Sequence, residues 1–124
     1  TTPQDISLAD ARKAFKMFEK VNVPVLGIIE NMSYFICGHC GTREDIFATG
    51  GGRKEAVALN TPFLGEIPIY TPIRIGSDTG KPIVVSEPKS QQAQIIRSIT
   101  RAMAAQMSIS QFTSAAPEIE ISLK

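Results

Sequence analysis

Residues 21–43 read V-N-V-P-V-L-G-I-I-E-N-M-S-Y-F-I-C-G-H-C-G-T-R. The first part, Val23 to Glu30, is a short apolar run rich in β-branched residues, with Pro24 near its start. It is too short for a free-standing helix, so it is expected to be a strand buried on both faces, which in turn requires covering layers. Asn31 and a few loop residues follow. Then come the only two cysteines of the chain, Cys37 and Cys40, spaced C-x-x-C and followed by Gly41. A core strand that delivers a paired-thiol knuckle at its C-terminal end is where chemistry is expected.

Composition limits what the knuckle can do. With 124 residues, 43% of them hydrophobic, and a net charge of +1, the chain has the size and apolar content of one small globular domain. Its positive charges (Arg12, Lys13, Lys16, Lys20, Arg53, Lys54, Arg97, Arg101) are scattered among acids, the pattern of solvated helix faces and not of a nucleic-acid surface. No apolar run reaches the roughly 18 residues of a membrane span, and no basic-then-apolar leader is visible. A C-x-x-C pair in such a chain points to a metal or redox site in a reducing compartment, here taken as the cytoplasm.

The flanking sequence reads as alternating helices and strands. The chain opens Thr1-Thr2-Pro3-Gln4, which reads as the tail of a strand whose body lies upstream, so a C-terminal piece of something longer is expected. Ser7 to Lys20 is a helix with Leu8, Ala11, Phe15 and Phe18 on one stripe and a Ser7/Asp10 variant of the capping box. After the knuckle, Glu44 to Thr49 is expected as a short edge segment, and Arg53 to Leu59 as a helix entered through Gly50-Gly51-Gly52. These glycines lack the lysine and hydroxyl of G-x-x-x-x-G-K-S/T, and Gly76 to Pro82 has one residue too few between its glycines, so neither is a phosphate loop. Pro62 to Pro68 is a second strand, Thr71 to Ser77 a brief helix begun by a cap and a proline, and Pro82 to Val85 an extended connector. A last long helix runs from Ser90 to about Met107 with Ala93, Ile96, Ile99 and Met103 inward. Residues 1–107 form the domain, and 108–124 a loose tail, in which Ile119, Ile121 and Leu123 alternate as in a strand. Two recognisable inner strands are too few for a complete sheet, so further strands must come from upstream or from another copy.

Cys37-Gly38-His39-Cys40 admits three readings. As a thiol-disulfide exchange site it would need a helix to begin at the first thiol, but Gly41 and Thr42 follow and the chain has no Trp. As a structural zinc knuckle it supplies two thiolates of four, with His39 lodged inside the turn and expected to be exposed. As an iron–sulfur site it has the same deficit, and two chains across a two-fold axis would make it good. Such a shared, exposed cluster would be labile, as delivery requires. The residues alone leave zinc and cluster open.

The runs T-T-P-Q-D, A-R-K-A-F-K-M-F-E-K-V-N-V-P-V-L-G-I-I-E-N-M-S-Y-F, C-x-x-C-G, I-F-x-x-G-G-G, P-F-L-G-E-I-P-I and D-T-G-K-P-I-V-V-S resemble the C-terminal half of the Mrp/ApbC iron–sulfur cluster carriers, MinD-like P-loop ATPases. The resemblance covers Thr1 to Met107 in one register. It implies an α/β fold, the C-terminal half of a layered P-loop NTPase-type (SIMIBI/MinD-like) parallel sheet flanked by helices. It also implies a homodimer that assembles a [4Fe-4S] cluster on Cys37 and Cys40 and passes it to apo iron–sulfur proteins. Asn31 matches the position that recognises adenine, and Pro68 the loop that borders the base. The family's Walker A loop and Mg²⁺-holding switch motifs would belong to the missing N-terminal half. This chain alone is therefore expected not to hydrolyse ATP. Gly38 stands where family members commonly carry proline, which loosens the turn but leaves the thiols in place.

Overall fold

A computed structural model describes residues 1–114. Helix α1 (Asp5–Lys20) is followed by strand β1 (Ile28–Ile36), the two-residue strand β2 (Arg43–Glu44), helix α2 (Gly51–Ala58) and strand β3 (Phe63–Ile69). Helix α3 (Thr71–Asp78), the single turn α4 (Ile83–Ser86) and the long α5 (Gln91–Ser114) complete the described residues. The sheet has the order β2-β1-β3, with β1 parallel to β3 through the α2 crossover and antiparallel to β2. Helix α5 lies on β3, α2 on β1 and α1 on α2. This is the expected α/β layering of a parallel pair flanked by helices.

The core is small and apolar: Leu8, Ala56, Ile83, Ala93 and Ile99 are buried. Gly65 allows α5 to sit on β3, because a Cβ there would lie 2.6 Å from Ile99 Cγ1, and its φ of +149° suits only glycine. Ser90 caps α5, its Oγ accepting from the Ala93 amide. Two residues inside β1 are fully buried and polar, Glu30 and Ser33.

Several expectations shift. β1 begins five residues later than Val23 and extends through Asn31 to Ile36, while Val23 and Pro24 lie exposed outside it. A strand exists only opposite a partner: β3 starts at Phe63, which pairs with Ile28, and β2 pairs with Phe35 and Ile36. Most of β1 is half-buried, not enclosed on both faces. α1 starts at Asp5, so Ser7 is inside the helix, and its hydroxyl accepts from the Thr2 amide instead of capping. α3 is capped by Tyr70, with Thr71 already in the helix.

The edge segment expected over Glu44 to Thr49 contributes only Glu44 to β2. Asp45 accepts from Arg43 Nε and Thr49 Oγ1, which folds the following residues into a turn. Pro82 to Val85 is not extended: Pro82 caps α4, its carbonyl accepting from the Val85 and Ser86 amides, and this turn drives Ile83 into the core. α5 runs past Met107 to Ser114, since no glycine or proline interrupts it before Pro117. Ile119, Ile121 and Leu123 lie outside the described residues. Thr1 makes the two bonds of a parallel bridge across Glu30: its amino group donates to the Ile29 carbonyl and its own carbonyl accepts from the Asn31 amide.

Candidate functional site

Two features lie along β1, a pocket at its middle and the thiol pair at its end. The thiol pair sits in a tight turn between β1 and β2. The Cys37 amide donates to the Thr42 carbonyl (2.9 Å) and the Gly41 amide to the Cys37 carbonyl (2.8 Å), with Gly41 left-handed at φ +71°. Both thiols are free, Cys37 half-buried and Cys40 exposed. Cys40 Sγ lies 3.2 Å from Thr42 Oγ1. The Thr42 hydroxyl, then the Thr42 backbone and the Cys37 side chain, hold the Cys40 thiol below its ordinary value. Beside the turn Arg43 stacks over the Tyr34 ring at 4.0 Å while bonding Asp45.

His39 is exposed, as expected. Among the described residues no group of three or more His, Cys, Asp or Glu side chains is gathered to hold a metal. A structural zinc ion or an iron–sulfur cluster takes four protein ligands, and the two thiols offer half of that number. No helix begins at Cys37, so the dipole that activates a helical C-x-x-C is missing. Gly38 meets nothing within 4 Å of where its Cβ would be, so a Cβ there would meet no steric obstacle.

The second feature is a cavity of about 450 Å³ lined by Asn31, Met32, Pro68, Tyr70, Ile73 and Arg74, among others. Asn31 and Pro68, six residues before the first thiol and near the end of β3, thus share one pocket. A bulge in β1 makes it. Between Asn31 and Phe35 the strand advances four residues while β3 advances two, from Ile67 to Ile69, and Met32 takes a φ of +54°. Asn31 is exposed, its Oδ1 accepting from the Met32 amide at 2.9 Å.

Gly50-Gly51-Gly52 is not open to a phosphate. The Gly52 amide at the start of α2 already donates to Glu30 Oε2 (2.5 Å), and a Cβ at Gly51 would lie 2.7 Å from Leu8 Cδ1. The positive end of the helix is thus taken by an internal carboxylate. Sequence reading passed over Glu30 and Ser33. A lone acid inside an apolar run was the available signal, since a buried charge must find donors.

A family model described as ParA, NUBPL iron-transfer P-loop NTPase matches residues 1–104. The chain belongs to this family. An iron-sulfur cluster carrier protein from Salmonella typhimurium is 51% identical over 107 residues, covering 86% of this chain and 29% of the relative. An iron-sulfur cluster transfer protein NUBPL from Dictyostelium discoideum is 45% identical over 109 residues, covering 88% and 34%. Among solved structures, a nucleotide-binding protein in complex with ADP from Archaeoglobus fulgidus superposes with a TM-score of 0.59 at 36% identity, covering 74% of this chain and 37% of that one. The chain thus spans about a third of the length of these NUBPL-family and Mrp/ApbC-type relatives, and the region matched is C-terminal.

Proposed function

We propose that this chain is the cluster-holding part of an iron–sulfur cluster carrier. Two copies present Cys37 and Cys40 to one [4Fe-4S] cluster, four thiolates in all. The observation that carries this reading is the free thiol pair in the turn that ends β1, Cys40 exposed and Cys37 half-buried, with no third metal-ligating group gathered there among the described residues. Delivery is thiolate exchange without change of redox state. A thiolate of the apo-protein forms a bond to iron as the bond to Cys40 breaks, Cys40 leaves as a thiolate, and Cys37 follows. The Thr42 hydroxyl, 3.2 Å from Cys40 Sγ, can donate to the departing thiolate.

Asn31 and Pro68 border the base of an adenine nucleotide, Asn31 through its side-chain amide and Pro68 through the backbone around it. The nearness of both to one cavity supports this. In the intact parent, ATP and Mg²⁺ would be completed by the N-terminal half, and this chain alone would not hydrolyse ATP. Free thiols fit the cytoplasm or another reducing compartment. No described helix is long and apolar enough to cross a membrane.

The test is anaerobic reconstitution with iron and sulfide. The native chain should take up about two irons per chain, half of a shared four-iron cluster, and gain broad visible absorption. Cys37→Ser should lose both. A colourless chain loaded with zinc only would favour a structural zinc-knuckle dimer, and insulin reduction by the metal-free monomer would favour a thiol-disulfide oxidoreductase.

A further inference from the structure

Residues 31–51 form one segment between the middle of β1 and the start of α2. It begins after Glu30, carries the pocket bulge, the thiol turn, β2 and the Asp45 turn, and ends at Gly52. The Glu30 carboxylate joins the two ends. Its side chain is wholly buried, with Oε2 accepting from the Gly52 amide (2.5 Å) and Oε1 from Ser33 Oγ (2.6 Å). No cation is among these partners; the donors and the positive end of α2 compensate the charge.

The clasp has visible structural consequences. Drawing Ser33 inward, to 1% exposure, goes with the two-residue bulge and with the left-handed backbone of Met32. The bulge sets where Asn31 stands at the pocket and in which direction Tyr34 to Ile36 carry Cys37. At the other end Gly52 is tightly fitted: a Cβ would lie 3.0 Å from Glu30 Oε2 and 3.1 Å from Glu30 Cβ, so Glu30 would have to give by a few tenths of an ångström.

We infer that Glu30 is a positioning residue for the thiol pair, its carboxylate clasping the two ends of the segment that carries Cys37 and Cys40. The inference rests on the reading of these thiols as metal ligands. Residues that orient metal ligands from behind commonly change affinity by roughly 10- to 100-fold when altered.

Cobalt(II) binding, read from its thiolate charge-transfer absorption, tests this on the 124-residue chain and three variants. Ser33→Ala removes one bond at nearly constant volume, and Gly52→Ala presses on Glu30 beside its bond to the Gly52 amide. Both should weaken cobalt binding about tenfold while the circular-dichroism helix signal is kept. Alanine is the better helix former, so a loss in Gly52→Ala cannot come from a weaker α2. Glu30→Gln can keep both bonds, its carbonyl accepting from Gly52 and its amide donating to Ser33, and should bind close to the native level. Native-like binding in both Ser33→Ala and Gly52→Ala would overturn the inference, and so would a Glu30→Gln loss as large as theirs. If the native chain binds no cobalt, the metal reading fails. The clasp is then judged by hydrogen exchange at the Cys37 and Gly41 amides, which should quicken in Ser33→Ala and Gly52→Ala; unchanged rates would refute it.

Discussion

The two halves of β1 are built to opposite rules. Ile28 to Asn31 has β3 on one edge and Thr1 on the other, with Glu30 sealed beneath it. From Phe35 onward the strand pairs with β3 only at Ile69 and with a two-residue β2, then ends in a turn whose second thiol is exposed. Rigidity lies under the site and openness at it. That suits a cargo that must be gripped in a fixed geometry and yet reached by an incoming ligand.

Substitutions can break this contrast, and the largest effect belongs to the rigid region. Gly65→Val should destabilise the fold by about 3 kcal/mol or more, since the new side chain meets Ile99 at a φ only glycine tolerates. Gly38→Ala in the open turn should change stability by less than about 0.5 kcal/mol, because nothing lies within reach. Urea midpoints of the two variants, compared at equal slope, check both. Similar midpoints would remove the contrast.

An intermediate effect sharpens the picture at the thiols. Because the Thr42 hydroxyl is the chief cause of the lowered Cys40 value, the native Cys40 should alkylate with a pH midpoint below that of an ordinary thiol. In Thr42→Val the midpoint should rise toward the ordinary value. An unchanged midpoint, followed by mass spectrometry of the labelled cysteine, would show that the hydroxyl does not tune the sulfur.

The smallest effect is expected at the turn behind the knuckle. Thr49 and Arg43 hold the Asp45 carboxyl below its usual range. A carboxyl depressed in the folded state adds stability above its unfolded value, about 3.9, and that stability is lost as pH falls through the lower folded value. Amide resonances of residues 43–49 should therefore shift in acid below pH 4, while those of α5 stay put. Movement of both together would mean that the turn is no separate unit.

Much of this arrangement was legible in the sequence, for local reasons. The stripe of Leu8, Ala11 and Phe15, the start of the last helix at Ser90 and the prolines around Phe63 to Ile67 each act over a few residues, and the elements they announce are present. Much of what failed depended on distant partners, while the caps at Ser7 and Thr71 failed because each helix starts earlier. β1 could not be placed from its own residues because Phe63 and Arg43 decide where it pairs. The turn at α4 depended on Ile83 finding the core. The thiol pair and the exposure of His39 were readable from C-x-x-C spacing, whereas Asn31 and Pro68 were singled out by family resemblance before the fold brought them to one cavity. Glu30 was passed over because its donor, Gly52, lies 22 residues on.

The central claim is that one chain is half of a cluster site. Native mass spectrometry of the anaerobically reconstituted chain tests it most directly. The account predicts a mass of two chains plus one four-iron, four-sulfide cluster, falling to metal-free monomer in Cys40→Ser. A single chain carrying a complete cluster, or a loaded dimer that survives Cys40→Ser unchanged, would contradict it.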